Sequence, residues 1–162
     1  MKKLIISLAM IASMLFMGLK NANAQINLET VTIKGNATKA MITEKVSNSF
    51  NKIFKDATEP SWVEINKRFV VNFILNDQKN KAVFTKNGNL VYHLAYGTEK
   101  NIPDIIRERI QKNYEDYDIT SAIRVNTPSV LVWVVNIENN KKIITLRATE
   151  DDITEIDTLP KS

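Results

Sequence analysis

The sequence contains no cysteine, a single histidine (His93), four glycines and four prolines in 162 residues. Without cysteine, disulfides, thiol catalysis and cysteine-ligated metals are excluded. With one histidine, paired-histidine metal sites and paired-histidine catalysis are excluded as well. The four glycines form neither the G-x-S-x-G turn of a serine hydrolase nor a phosphate-binding loop. We therefore expect no cofactor, no metal site and no catalytic residues, and we predict that the chain is not an enzyme.

The first part of the chain, residues 1–24, has the pattern of a secretory signal peptide. Lys2 and Lys3 precede an uncharged, mostly apolar run from Leu4 to Leu19, and Ala22-Asn23-Ala24 forms an A-x-A cleavage site. We predict cleavage after Ala24, and hence an exported protein, periplasmic or secreted, with no stable membrane insertion after cleavage. The alternative is a retained anchor, because the apolar run falls just short of a comfortable membrane span.

Cleavage would also change the charge balance. Removing Lys2, Lys3 and Lys20 lowers the number of basic residues from 22 to 19, against 18 acidic residues. This near-neutral balance gives no electrostatic reason to expect nucleic-acid binding. The acidic clusters 115–118 and 151–152 lack the alternating pattern of a calcium loop, so we interpret them as solvated turns.

After a short N-terminal arm or edge strand (25–37), residues 38–97 read as a helix followed by a sheet. Apolar residues recur every four positions from Ile42 to Phe54, which predicts a helix over residues 38–56. Four short β-rich runs follow, and Asn66-Lys67, residues 76–78 and Asn87-Gly88 separate them as turns. Short turns join antiparallel neighbours, so these runs predict a meander.

Residues 98–158 repeat this arrangement, before a tail at 159–162. One constant offset places Phe50 on Ile110, Phe73 on Trp133 and Thr85 on Thr145, and a short insertion follows near Asp151-Asp152. An offset that is kept without a gap from Phe50 to Thr85 indicates two copies of one unit. The predicted fold class is α+β, with two tandem helix-plus-antiparallel-sheet units.

A set of core and turn positions between residues 49 and 157 carries a family resemblance: Phe50, Phe54, Ala57, Trp62, Phe69, Val71, Phe73, Asn87-Gly88, Ile102-Pro103, Ile106, Ile110, Tyr114, Tyr117 and Ile119. This order resembles the PepSY-like family of small exported bacterial proteins, which is also described as similar to the β-lactamase inhibitor protein (BLIP). Two features depart from the pattern, because Lys55 stands where a helix-ending proline is expected and the second closing turn lacks glycine. The resemblance implies a non-enzymatic binding or inhibitory role and provides no catalytic residues.

The predicted core joins the two apolar helix stripes to alternate residues of the strands. Its members are Ile42, Val46, Phe50, Phe54, Val63, Ile65, Val71, Phe73, Leu75, Ile106, Ile110, Tyr114, Leu131, Trp133 and Val135. By the same alternation, a second set would lie on the open face, which is the face of the sheet that carries no helix. That set is Trp62, Glu64, Asn72, Ile74, His93, Arg124, Val132 and Val134.

Apolar residues on a face that is normally polar require an explanation. One hypothesis is a surface for an exported protein partner centred on Trp62, since aromatic residues dominate interface energetics. The alternative is that the N-terminal arm or the other half's sheet covers these residues. At the level of function, we expect a protein-binding module, such as an inhibitor or chaperone-like partner of an exported enzyme. A carrier of a small apolar ligand between helix and sheet is the second hypothesis, although the large core side chains favour a filled interior.

Overall fold

The computed structural model describes residues 38–39 and 41–161. The predicted signal peptide (1–24) and N-terminal arm (25–37) lie outside these residues. Within them, nine strands form one antiparallel sheet, in which every strand pairs with the next along the chain. The elements are β1 (Thr38–Lys39), α1 (Glu44–Ile53), β2 (Thr58–Ile65), β3 (Arg68–Leu75), β4 (Gln78–Thr85), β5 (Leu90–Gly97), α2 (Asp104–Asn113), β6 (Asp118–Asn126), β7 (Leu131–Glu138), β8 (Lys142–Ala148) and β9 (Ile153–Pro160).

The predicted α+β class is confirmed, and the two helix-plus-sheet segments share a single sheet. Strands β5 and β6 join them, with Leu94 opposite Val125. Because the halves lie side by side in one sheet, the second half's sheet does not cover the first. The last strand also runs further than predicted, since Pro160 pairs with Lys142 where a tail was expected.

Helix α1 is shorter than the predicted span of residues 38–56. It begins after Thr43, whose Oγ1 accepts a hydrogen bond from the backbone N–H of Val46 at 3.3 Å. An N-terminal threonine cap of this kind satisfies one of the free N–H groups of the first turn. Residues 38–39 form β1 instead, where they pair with Val63 and Glu64 of β2.

Both helices lie on the same face of the sheet. Directly opposed residues of antiparallel strands point to one face. Ala82 packs in the cluster that contains the α1 side chains and pairs with His93. Two residues further along β5, Ala95 pairs with Arg124, and Arg124 pairs with Trp133, which packs with the α2 side chains. We call this the helix face, and the opposite side is the open face.

The helix face carries a separate core in each half. Beneath α1 the core is aromatic, with the Phe73 ring 5.1 Å from Phe50 and 4.7 Å from Phe54 between centroids. Beneath α2 it is mainly aliphatic around Trp133. Leu131 was predicted to belong to this second core. That prediction is wrong, because Leu131 lies at the start of β7 and is 50% exposed.

Strand pairing corrects the predicted offset between the halves. Glu64 pairs with Phe69 across a two-residue turn, whereas Arg124 pairs with Trp133 across the four-residue link 127–130. Trp133 therefore corresponds to Phe69 rather than to Phe73, with which the constant offset had matched it. The insertion that was predicted near residues 151–152 already occurs in this link.

Candidate functional site: the open face of the sheet

Four of the eight predicted residues lie on the open face. Asn72 and Ile74 alternate with the core residues Val71 and Phe73 along β3. In β7, Val132 and Val134 alternate with core residues in the same way. The prediction that Phe73 and Trp133 point toward the helices is thereby confirmed.

Trp62, Glu64 and Arg124 were wrongly placed, because all three lie on the helix face. Trp62 pairs with Val71 and packs edge-on against Phe50, with ring centroids 5.2 Å apart. Glu64 follows two residues later on the same side of β2, and Arg124 pairs with Trp133. Correspondingly, Val63 and Ile65, which were predicted to face α1, lie on the open face.

His93 was also predicted on the open face, but it is a buried residue of the helix face. Its Nε2 lies 2.8 Å from Oδ1 of Asn80, and its ring packs 4.7 Å from Phe54 between centroids. Burial, with a smaller contribution from the charge of Arg124, lowers the pKa of His93 to about 4. A neutral imidazole held in a hydrophobic core explains this residue without a catalytic role.

Aliphatic side chains form the centre of the open face and run across both halves. Their central members are almost fully buried, with exposed fractions of 0% for Val132, 1% for Val83 and 3% for Val70. The aliphatic residues of the open face are Val63, Ile65, Val70, Ile74, Val83, Leu94, Ile123, Val125, Val132 and Val134.

Long polar side chains stand directly opposite these aliphatic residues. Tyr92 pairs with Val83, Tyr96 with Ile123, Lys81 with Leu94 and Arg147 with Val134, while Arg68 pairs with Ile65. Because the aliphatic centre is buried, these side chains, with the exposed Asn72 and Lys79, form the accessible part of the open face. We call them the polar rim.

Burial perturbs several groups of the polar rim. It raises the pKa of Tyr92 to about 12, where the nearby Tyr96 adds to the effect and Arg68 opposes it. Desolvation also lowers the pKa of Lys81. The hydroxyl of Tyr92 and Nε of Arg147 are buried without a hydrogen-bond partner in the described part of the chain.

Sequence reasoning missed the polar rim, although a signal was present. Lys79, Lys81 and Val83 alternate along β4, and Arg68, Val70 and Asn72 alternate along β3. Once it is known which alternate residues of each strand face the core, this period of two places the charged residues on the same face as the valines. The prediction had concentrated on the aromatic residue of β2 instead.

The described residues contain no group of histidine, cysteine and carboxylate side chains that could hold a metal ion. Neither α1 nor α2 is long and apolar enough to cross a membrane.

A single meandering sheet with two helices on one face and a rimmed aliphatic surface on the other defines the structural class. Among solved structures, the chain is similar to a BLIP-like protein from Bacteroides fragilis, with a TM-score of 0.62, 14% identity and coverage of 75% of this chain and 87% of the other. A DUF2874 family protein from Bacteroides ovatus has a TM-score of 0.61 and 15% identity, with coverage of 75% of this chain and 89% of the other. A protein from Bacteroides eggerthii that is described as periplasmic has a TM-score of 0.60 and 13% identity, with coverage of 75% of this chain and 90% of the other. The BLIP-like fold expected from the sequence is confirmed.

Comparison at the sequence level adds little. A stretch of 77 residues, 47% of this chain, is 32% identical to part of the tRNA modification GTPase MnmE of Mesoplasma florum. The chain spans 17% of that protein and contains no glycine-rich phosphate-binding loop, so the match carries no argument for GTPase activity. No family model matches the chain.

Proposed function

We propose that the chain is an exported, non-enzymatic protein-binding module that contacts a protein partner through the open face. The observation that carries this proposal is the aliphatic centre with its polar rim, on a face that neither α1 nor α2 covers. A polar border around an apolar centre is the usual composition of a protein interface, and here the polar rim is the accessible part of the face. Such a module would act as an inhibitor or as a chaperone-like partner of an exported enzyme.

The site residues follow from the observed strand register. Asn72, Ile74, Val132 and Val134 remain in the proposed interface, and the polar rim joins them. Trp62, Glu64, His93 and Arg124 leave it because they lie on the helix face.

Export is supported by the signal-peptide pattern of residues 1–24. The periplasmic assignment of the similar Bacteroides eggerthii protein agrees with it. The name of the BLIP-like neighbour supports a binding role for this fold, and that role is part of the proposal.

A carrier of a small apolar ligand is less well supported. A ligand between helix and sheet needs a cavity of several hundred cubic ångströms. Beneath α1 that space is occupied by rings in contact, with Phe50, Phe54 and Phe73 separated by 4.7 to 5.5 Å between centroids. Packing of this kind favours the protein-binding function.

The proposal is tested by blocking one face of the sheet at a time. Asn72 is exposed on the open face, and Asn48 is exposed on α1 on the opposite side. Asn72→Trp should weaken capture of the partner from the exported fraction by about tenfold or more, whereas Asn48→Trp should leave capture unchanged. Both variants should keep the wild-type melting temperature within a few degrees. Equal capture by the two variants would contradict the proposal.

A further inference from the structure

The first half of the open face carries charge of one sign. Strands β2 to β5 bring Arg68, Lys79 and Lys81 to this face, and none of the residues paired on it in these strands is aspartate or glutamate. The one carboxylate among the paired residues of these strands, Glu64, lies on the helix face. Glu59 lies in the bulge at the start of β2, and Asp77 lies in the turn before β4. This half of the face is therefore cationic.

These cations have no counter-charge in the described chain. The two ion pairs found there are Arg107–Asp104 and Lys161–Glu138, and neither involves a cation of this half of the open face. A cation that is partly withdrawn from water without a counter-ion carries a desolvation cost, which an anion placed beside it would offset. Lys81 is in this situation, as its lowered pKa indicates.

Hydrogen-bond chemistry points to the same kind of partner. The hydroxyl of Tyr92 has no hydrogen-bond partner in the described part of the chain, and this residue pairs with Val83, which in turn pairs with Val70. Arg68 lies two residues before Val70 in β3, and Lys81 lies two residues before Val83 in β4, so the surroundings of the two valines are rich in donors. The groups that this arrangement lacks are negatively charged acceptors, which arginine and lysine bind most strongly.

We propose that the partner contributes an acidic segment that lies on the first half of the open face, with its carboxylates paired with Arg68 and Lys81. This inference rests on the proposed function and narrows its partner to an anionic protein surface.

Two other occupants fit these charges less well. The chain's own residues 25–37 contain one acidic and one basic residue, so this segment brings no net negative charge. An anionic membrane would have to reach a face whose aliphatic centre is buried, whereas membrane-binding surfaces expose their apolar groups. Both occupants remain outcomes of the test.

The test uses the purified exported protein with two synthetic peptides that differ only in charge. In one, leucine alternates with glutamate, and in the other leucine alternates with lysine. We expect the glutamate peptide to bind at least tenfold more tightly in fluorescence anisotropy and to weaken as salt is raised. A Lys79→Glu/Lys81→Gln variant should lose this preference. The matched control Lys52→Glu, which changes an exposed charge on α1, should keep it.

The other outcomes overturn the inference in distinguishable ways. If both peptides bind equally and Asn72→Trp blocks both, the acidic-partner inference fails and the proposed function stands. The same holds if neither peptide binds and capture of the exported partner is unaffected by Lys79→Glu/Lys81→Gln. If the glutamate peptide binds only after residues 25–37 are deleted, or if vesicles of phosphatidylglycerol bind instead, a different occupant is indicated. If Asn72→Trp changes neither peptide binding nor partner capture, both proposals fail.

Discussion

Nε2 of His93 lies 2.8 Å from Oδ1 of Asn80 in the buried core of the first half. Nδ2 of the same asparagine donates to the backbone carbonyls of Gln78 at 2.7 Å and Leu75 at 3.3 Å. Because these two bonds orient the amide, Oδ1 is the acceptor that faces the imidazole, and we assign the neutral histidine with its proton on Nε2. The pair links β4 to β5 beneath α1.

This pair predicts that the protein loses stability in mild acid. The pKa of His93 is lowered to about 4 in the folded chain, against about 6.5 in an unfolded chain. Between these values the unfolded chain binds more protons, so the free energy of unfolding decreases as the pH falls from about 6.5 to about 4. The loss reaches at most about 3 kcal/mol.

Urea unfolding at several pH values measures this loss. His93→Gln has no titrating ring, so the acid-dependent part of the midpoint shift should shrink in this variant even if its stability at pH 7 is lower. A variant that retained the full wild-type pH dependence would show that other groups cause the loss.

Trp62→Ala should destabilise the fold rather than affect binding alone. The ring packs against Phe50 at 5.2 Å and Phe84 at 6.1 Å between centroids, in the core beneath α1. Since Trp62 is only half-buried, we expect a loss of about 2–4 kcal/mol, at or below the range for a fully buried tryptophan. Chemical denaturation measures it. An unchanged unfolding midpoint would contradict this placement and indicate that Trp62 lies on the open face.

Trp133 and Leu131 form a matched pair within β7. Trp133 is 6% exposed and occupies the position that Phe69 holds in the first half, whereas Leu131 is 50% exposed. We expect Trp133→Ala to cost about 3–5 kcal/mol, and Leu131→Ala to cost less than about 1 kcal/mol because it removes little buried surface. Comparable losses at the two sites, measured by denaturation, would contradict the observed register.

Gly88 is required by both its backbone conformation and its surroundings. Its φ is +84°, and an added Cβ would lie 2.7 Å from the backbone oxygen of Lys45 in α1. Gly88→Ala should therefore cost more than about 1 kcal/mol in the free energy of unfolding. At the control position Gly97, the two closest contacts are the side-chain ends of Asn101 and Gln78, which can move. Gly97→Ala should be milder, and the opposite order would mean that the loop before β5 is mobile enough to withdraw from α1.

Features with local causes were predictable from the sequence. The turns Asn66-Lys67 and Asn76-Asp77 both have positive φ at their two central residues, between 52° and 62°, the conformation that asparagine and aspartate tolerate in tight hairpins. The four-residue helix stripe likewise placed Val46 and Phe50 against the sheet, because its period depends only on the helix itself.

The direction of side chains in some strands was not predictable, because both faces of this sheet are apolar. In β2, Trp62 and Val63 are equally plausible inward residues, and only pairing with β3 decides between them. In β5, a bulge leaves Val91 without a partner in β4, so Leu90 and His93 share a face despite their odd separation. An extra residue of this kind reverses the alternation on which the open-face assignment of His93 depended.

The central claim is that a protein partner contacts the open face, and site-specific photo-crosslinking tests it most directly. A benzophenone amino acid placed at Asn72 would report on the open face, and the same group at Asn48 would report on the exposed side of α1. In cells that export the protein, we predict a discrete crosslinked partner from position 72 and none from position 48. Crosslinking from position 48 alone, or from neither position, would contradict the account.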